Sequence, residues 1–584
     1  MLICGLKLTH DGAIALIEDQ KLIFCYEMEK LDNNVRYIPL KEVFSHDLLS
    51  GILAEHGYSI EDVDSLVIDG WGDHYSDNDS ENDYPPYEAK IRNRNEEFGA
   101  ALNGYGLVIT KENLLEKKSF NYPEQEFKYS SYMHISGHLM SGYCTSPYAR
   151  NSEDSFMLIW DGGMVPQLFY MNAQRREIEA IGPIFNLLGI SYSSFASNYK
   201  PFNHLSFYDL SIAGKLMAYI ALGKCIPEIL QEFKRLFRMQ EAAAGMMTEL
   251  KAKSRIALTS RLLTEFVIYG EIHGIEPVDM LTTFHFFLQD ILLEQLEAVV
   301  KKYPNYTRNL CFVGGCALNI KWNSNIRNSG FFRDMWVPPF PNDAGSAIGV
   351  ACCEMINSTG RLALEWDVYK GPSIRQGEID NAAWDEFDCP IRELAEWLHF
   401  SGEPVVFLNG RAELGPRALG NRSILAAAVD PAMKTTLNRI KKREDYRPVA
   451  PICIEEDATA IFSPGSPDPL MLYDHVVNEE WKAKIPAVCH LDGTARLQTI
   501  NSNENPVIYE LLCEYKKLSN IPILCNTSAN YGGRGFFPDV ASAMQWGEVD
   551  CIWSENKLFI KSKSKARIGI PKKLHVQNIQ TVLK

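Results

Sequence analysis

The sequence predicts a multidomain protein of the α/β class. Three observations carry that reading: short apolar runs broken by Asp/Gly turns at the front, a long helical-period stretch in the middle, and alternating strands and helices in the last third. A chain of 584 residues exceeds one domain of about 100–200 residues. Its 46% hydrophobic and 23% charged content is that of a folded protein and excludes wholesale disorder.

At the front, Leu2–Leu8, the turn His10-Asp11-Gly12, Ala13–Ile17, Asp19-Gln20 and Leu22–Tyr26 predict a β-meander. Ser65–Gly70 and Phe156–Asp161 are expected to be further strands, each ending at an acidic residue. Between them, Asp73–Asp83 has five acids and no Lys or Arg before Pro85-Pro86, the pattern of a solvated loop or lid. From Ile226 to Tyr303 the period turns helical, with Ile229, Leu230, Phe233, Leu236 and Phe237, then Leu288, Ile291, Leu292, Leu296 and Val299. Strands return at Leu310–Val313 and Met335–Val337, and a helix is expected after Asp343 over Ala344–Met355. Leu364–Pro372 has no clear period and holds Gly371-Pro372, so the boundary falls there, giving domains of residues 1–363 and 364–584. Beyond it, strands at Val405–Leu408, Pro451–Ile454 and Ile523–Asn526 alternate with helices at Ile391–His399, Val507–Lys517 and Asp539–Trp546. No fixed-period repeat is evident.

The charge balance, 58 Lys+Arg against 74 Asp+Glu, gives −16 and argues against sequence-independent nucleic-acid binding. Fourteen cysteines without a CxxC pair point to reduced thiols rather than a disulfide scaffold. Met1–Gly12 has no signal-peptide pattern, and no run of about 18 apolar residues occurs. A cytoplasmic location with no membrane partner is the expectation.

Four constellations could carry chemistry. His134 and His138 are i, i+4 on a helix, so both imidazoles share a face and can meet one metal ion, although packing alone also produces such pairs. With Asp161 in Trp160-Asp161-Gly162-Gly163 and Asp343 in Asn342-Asp343-Ala344-Gly345, they make a set suited to Fe(II), Mn(II) or Zn(II). Each Asp could equally cap a helix or a turn. Glycine turns at Gly162-Gly163, Gly214-Lys215 and Gly314-Gly315, the last running on to Asn319, could bring backbone N–H groups to phosphates, though none matches a diagnostic nucleotide motif. Asn409–Arg447 holds nine basic residues against four acids. Because Arg411, Arg417 and Arg422 stand among glycines and Pro416, they are expected to set guanidinium forks against a polyanion. Arg496 and the Asn526-Thr527-Ser528 turn could complete that site. His10, in the first turn, could be a general base or an ordinary surface histidine.

Gly415-Pro416-Arg417-Ala418-Leu419-Gly420-Asn421-Arg422-Ser423, Lys441 through Pro451, His490 through Gln498, and Asn526-Thr527-Ser528 resemble the signature of the NodU/CmcH-type O-carbamoyltransferases. His134-x3-His138, Gly214-Lys215-x-Met217, Gly314-Gly315-x-Ala317-Leu318-Asn319 and Asp343-Ala344-Gly345 follow the family's other blocks in order. The resemblance implies a Kae1-like N-terminal domain of the two-lobed actin/Hsp70/sugar-kinase type and a YrdC-like α/β C-terminal domain. It implies that ATP and carbamoyl phosphate, with Mg for the ATP, form carbamoyl-adenylate and pyrophosphate in the second domain. The first would transfer the carbamoyl group to an acceptor hydroxyl beside a metal, Fe(II) first, with Mn or Zn as alternatives. By motif, the metal ligands would be His134, His138, Asp161 and Asp343. Arg417, Lys441, Arg447, Arg496, Asn526 and Ser528 would form the adenylate site, with Gly314, Gly315 and Asn319 as further binding residues and His10 as base. The family's NTSFN reads Asn526-Thr527-Ser528-Ala529-Asn530 here, and RPFAP reads Arg447-Pro448-Val449-Ala450-Pro451, so packing about the adenine or carbamoyl group is expected to differ. Asp11-Gly12-Ala13 lacks the small hydroxyl residue common at that turn in the family.

The expected activity is O-carbamoylation in natural-product biosynthesis. Threonylcarbamoyl-adenosine-type tRNA modification is the alternative, and a non-catalytic metal- or nucleotide-binding protein is a third reading. The acidic balance argues against tRNA, and the clustered arginines argue against a decayed site. The acidic Asp73–Asp83 segment suggests a small cationic acceptor, aminoglycoside-like or a guanidinium alkaloid of the saxitoxin type. A homodimer is one possible assembly.

Overall fold

The computed structural model describes residues 1–43, 45–70, 87–93, 96–102, 114–122, 127–245 and 252–564. The acidic segment Asp73–Asp83, on which the cationic-acceptor expectation rests, lies outside the described residues. The chain divides into two compact units, Met1–Met28 with Tyr37–Trp366, and Glu29–Arg36 with Asp367–Lys584. The change-over after Trp366 falls inside Leu364–Pro372. The short Glu29–Arg36 segment, which a single boundary leaves with the front half, groups with the second unit.

The first unit contains two larger sheets. In the first, β1 (Leu2–Lys7), β2 (Ala13–Glu18) and β3 (Lys21–Glu27) form the expected meander, and β4 is Ser65–Asp69. A separate hairpin pairs β5 (Tyr87–Asn93) with β6 (Glu96–Leu102), and β7 (Lys118–Tyr122) and β8 (Phe127–Tyr132) return to the sheet. Its order is β3-β2-β1-β4-β8-β7, with β1, β4 and β8 mutually parallel. The second sheet uses β9 (Ser155–Ile159), β10 (Gln167–Asn172), β11 (Glu177–Pro183), β12 (Asn309–Val313) and β13 (Asp334–Trp336) in the order β11-β10-β9-β12-β13. Both sheets follow one plan. Three antiparallel strands lead, and the first of them then pairs in parallel with a fourth, which pairs in parallel with a fifth. β1, β9 and β12 are buried at every position, which is why they read as unbroken apolar runs. Between β11 and β12 of the second sheet, in sequence, lie Pro227–Gly245, Ala252–Ile272 and Pro277–Lys302, where the helical period was legible. Phe233 stacks on Phe266 with ring centroids 3.9 Å apart. No described helix is long and apolar enough to cross a membrane.

Two helices position the site in this unit. His134–Thr145 starts two residues after β8 ends, and Ser346–Thr359 follows the short turn Asp343–Gly345. They cross at glycine: a Cβ on Gly349 would lie 1.7 Å from the carbonyl oxygen of Gly137. That contact admits no side chain without backbone movement, so the Gly349→Ala variant is expected to lose about 3 kcal/mol or more of stability. Urea unfolding would measure it.

The second unit is built on an eight-stranded sheet. Its strands are β14 (Trp384–Asp388), β15 (Val405–Leu408), β16 (Arg422–Ala427), β17 (Ala450–Ile454), β21 (Gln498–Ile500), β22 (Ile523–Ser528), β23 (Cys551–Ser554) and β24 (Lys557–Lys561). They are ordered β14-β24-β23-β15-β16-β22-β17-β21. A small second sheet joins β18 (Phe462–Ser463), β19 (His475–Val477) and β20 (Thr494–Ala495). The helices Ile391–Ser401 and Pro506–Ser519 pack together, and Phe407 stacks on Trp553 in the core at 4.5 Å. β16 is fully buried, although its sequence opens with Arg422 and gives no sign of an interior strand.

Candidate active site

In the first unit, the carboxyl ends of parallel strands bring polar groups together inside an apolar core. Lys7 ends β1, Asp69 ends β4, and His134 stands two residues past β8. His134 and His138 share a helix face as the spacing requires, with their Nε2 atoms 3.2 Å apart. Asp343 Oδ1 lies 3.2 Å from His138 Nε2, and its Oδ2 lies 3.6 Å from His134 Nε2. Among the described residues, these three form the group of His, Cys, Asp and Glu whose ligand atoms fall within 4.8 Å of one another. All three are buried.

Charge balance follows from the neighbours. Burial would push the Asp343 carboxyl up, yet Lys7, His10 and His134 hold it well below the usual carboxylate range. Burial keeps His134 below its ordinary value, despite the pull of Asp69. For His138, burial is outweighed by the hydrogen bond to Asp343 and by the charges of Asp343, Asp161 and Asp69, so its value is raised. His10 is less enclosed: its side chain is 46% exposed and its Nδ1 lies 3.3 Å from Asp343 Oδ2.

Two imidazoles, once their Nε2 atoms are unprotonated, and one carboxylate would make a donor set that fits a divalent transition metal. The arrangement agrees, because His134 Nδ1 faces Asp69 Oδ2 at 2.8 Å. A carboxylate can only accept, so Nδ1 carries the proton and Nε2 presents its lone pair to the group. Asp161 stands outside the group: its Oδ1 takes the N–H of Gly315 at 2.5 Å, and its charge still reaches His138.

The glycine turns differ from one another. Gly314 has φ +89°, and a Cβ there would lie 2.4 Å from the Trp160 carbonyl, so the turn needs glycine for close approach to β9. Gly315 gives its N–H to Asp161, and the Asn319 side chain caps Ile320–Asn328 by accepting from the N–H groups of Lys321 and Trp322. Gly214-Lys215, expected as a turn, lies inside the helix Ser211–Tyr219, where the apolar spacing of Ile212 and Leu216 overrides a single glycine.

In the second unit, the basic cluster separates into cations tied to interior carbonyls and arginines crowded against one another. Arg422 is buried, and its guanidinium donates to the carbonyls of Asn409, Asn421, Gly410 and Pro372 at 2.7–3.1 Å. Arg411 donates to the carbonyls of Gly371 and Lys370. The donors of both go to interior loop carbonyls, and those of Asn421, Gly410 and Pro372 each accept a backbone N–H as well. Lys441 donates to the Ser528 carbonyl at 2.7 Å, to the Asn530 carbonyl at 2.8 Å and to Asn530 Oδ1 at 2.5 Å. Its three N–H bonds are therefore engaged at the end of β22, where Asn526-Thr527-Ser528 is strand paired with β16 rather than the expected turn. Asn526 Nδ2 ties the Ala418 carbonyl to Gln498 Oε1, bracing the Arg417 loop, and Ser528 Oγ donates to Asn530 Oδ1.

Arg417, Arg443, Arg447 and Arg496 remain. Burial, then the charges of Arg417, Arg443 and Arg447, hold Arg496 well below the ordinary arginine range. Burial, with Arg447 and Arg36 nearby, lowers Arg443 to about 10. The Nε atoms of Arg443 and Arg496 are buried without a hydrogen-bond acceptor among the described residues. Crowded guanidiniums with unsatisfied donors have the chemistry of an anion site. Three residues here escaped the sequence analysis as site members. Arg443 lay in a basic run without distinction from its neighbours. Arg36 comes from the far front of the chain. Lys30, from the same segment, donates to the carbonyls of Glu413 and Gly415 at 2.6 and 2.7 Å and so anchors the loop that carries Arg417.

Known proteins align with this division. Residues 2–352 match the family model of the carbamoyltransferase N-terminus, and residues 397–561 match that of the carbamoyltransferase C-terminus. Nodulation protein U of Sinorhizobium fredii is 44% identical, covering 97% of this chain and 100% of that protein. Nodulation protein U of Rhizobium tropici is 44% identical with 96% of each chain covered. The 3'-hydroxymethylcephem-O-carbamoyltransferase of Streptomyces clavuligerus is 31% identical, over 95% of this chain and 97% of its own. With both family halves matched in order, and relatives aligned end to end, this chain is a carbamoyltransferase and belongs to the NodU/CmcH family.

Proposed function

We propose that this enzyme makes carbamoyl-adenylate in its second unit and transfers the carbamoyl group to an acceptor hydroxyl in its first. Water cleaves carbamoyl phosphate to carbamate and phosphate, and a carbamate oxygen then attacks the α-phosphorus of Mg-bound ATP, displacing pyrophosphate. The observation that carries this reading is the crowding of Arg417, Arg443, Arg447 and Arg496, with the buried Nε atoms of Arg443 and Arg496 lacking an acceptor among the described residues, which suits a polyanion. Lys441, Asn526 and Ser528 act as supports of that site, holding the loops that present the arginines.

In the first unit, His134, His138 and Asp343 would hold the divalent metal, with Fe(II) ahead of Mn or Zn. When bound, it would supply Lewis-acid polarisation of the carbamoyl carbonyl. His10 gives its Nδ1 side to Asp343, leaving Nε2 to take the proton of the acceptor hydroxyl as the C–O bond forms and AMP departs. Matching strand plans in its two sheets support a two-lobed, Kae1-like reading of this unit, and the eight-stranded sheet with an arginine cluster in the same unit supports a YrdC-like second. The name of the cephem relative supports an acceptor bearing a hydroxymethyl group. The preference for a small cationic acceptor rests on sequence alone.

The test is exchange of labelled pyrophosphate into ATP, with and without carbamoyl phosphate, followed by mass analysis of acceptors. A hydroxymethyl cephem, an amino-sugar oligosaccharide and an aminoglycoside form a suitable panel. Carbamoyl-phosphate-dependent exchange with a one-carbamoyl mass gain on an acceptor is expected. Absence of exchange in metal-replete enzyme would overturn the reading.

A further inference from the structure

The metal-ligating group stands on a second pair of charges that no part of the proposed reaction uses. Lys7 and Asp69 are both 0% exposed. Their strands are parallel neighbours, with Leu6 opposite Ile68, so the next residues along each strand leave the sheet side by side. Asp69 Oδ2 accepts from Lys7 Nζ at 3.0 Å and faces His134 Nδ1 at 2.8 Å. Lys7 Nζ also lies 2.9 Å from Asp343 Oδ2. Gly137 is part of the arrangement, since a Cβ there would come within 2.9 Å of Asp69 Oδ1. One ammonium thus bridges two carboxylates, and each carboxylate reaches a different member of the ligand group.

The position of each contact decides what it can do. Asp69 meets His134 on the edge of the ring away from the ligand group, so it serves as the hydrogen-bond acceptor that fixes tautomer and ring angle. Lys7 meets Asp343 at Oδ2, whereas Oδ1 is the oxygen beside His138. Holding Oδ2 on an ammonium limits Asp343 to one free oxygen. A buried ion pair kept for stability alone has no reason to divide its contacts in this way, because desolvation of the two charges largely cancels their attraction.

We propose that Asp69 and Lys7 are positioning residues for the metal: Asp69 aims His134 Nε2, and Lys7 restricts Asp343 to ligation through Oδ1. The inference rests on the metal reading of His134, His138 and Asp343. It names the two side chains, one on each of two adjacent strands, that set the geometry of that group.

The experiment uses the full chain, stripped of metal by chelation and titrated with Co(II) against a competing chelator, with the visible Co(II) bands recorded. Wild-type protein should take one equivalent, and His138→Ala none at comparable concentration. Failure of that control would remove the metal reading itself. With the control in place, Asp69→Ala should bind Co(II) about 10–100-fold more weakly. Asp69→Asn should stay within about threefold of wild type, because one amide oxygen can still accept from both Lys7 and His134. In Lys7→Met, release of Asp343 Oδ2 should shift the bands toward the weaker intensities of a higher coordination number. The Lys7→Met/Asp69→Ala double variant leaves neither of that pair unbalanced and keeps the test open if Asp69→Ala does not fold. Wild-type Co(II) affinity in the folded Asp69→Ala or double variant would overturn the role of Asp69. An unchanged Co(II) spectrum in Lys7→Met would overturn that of Lys7.

Discussion

The Arg496→Ala variant is expected to lose about 10²–10³-fold or more of carbamoyl-phosphate-dependent pyrophosphate exchange, while its Tm does not fall. The two outcomes share one cause. In the free protein, Arg496 is held against Arg417, Arg443 and Arg447 and its Nε meets no acceptor, so its removal relieves repulsion. In the proposed adenylation, phosphate oxygens gathering charge would give those same donors their partners, and their loss would fall on the rate. Arg422→Ala is the internal contrast. It abandons four interior carbonyls and should cost about 3 kcal/mol or more of stability, because hydrogen bonds to a charged donor are worth roughly 1.5–3 kcal/mol each. Exchange kinetics and thermal unfolding of both variants would check this. A destabilised Arg496→Ala with normal exchange would show that Arg496 belongs to the structure rather than to the anion site.

The second large effect concerns His10. His10→Asn should slow transfer to the acceptor by about 10²–10⁴-fold, the usual worth of a general base, and leave pyrophosphate exchange at the wild-type rate. Metal content should also be unchanged. His10 lies outside the three-residue ligand group and touches it only through Asp343 Oδ2. Single-turnover transfer from preformed adenylate, measured beside exchange, separates the two half-reactions. Equal loss in both would assign His10 to something other than the acceptor's proton.

Much of the first unit's site was legible because its signals are local. His134 and His138 converge by helix geometry, and Asp343 announces itself before a small-residue helix. Asp161 shows the limit of that reading. A strand-end aspartate beside glycines can face a metal or take a backbone N–H, and here Gly315 takes its oxygen. Lys7 and Asp69 left no signal at all. One lysine ending an apolar strand and one aspartate ending another gain meaning only when the strands pair in parallel. In the second unit, the basic run was visible but not its division of labour. Whether an arginine faces a ligand or the interior depends on which carbonyls the fold brings within its reach, and Arg411 and Arg422 reach interior carbonyls.

By itself, the sequence determined the meander, the helical middle, the alternation that follows, the paired histidines and the concentration of cations in one segment. Those features depend on side-chain period and composition, which act over a few residues. Tertiary structure alone decided that two sheets share a strand plan with no repeat in the residues. It also decided that Glu29–Arg36 groups with the second unit, that Lys7 and Asp69 stand beside His134 and Asp343, and which guanidiniums crowd against one another. Each of these depends on contacts between residues far apart in the chain, where burial and hydrogen-bond satisfaction, rather than local pattern, choose the partner.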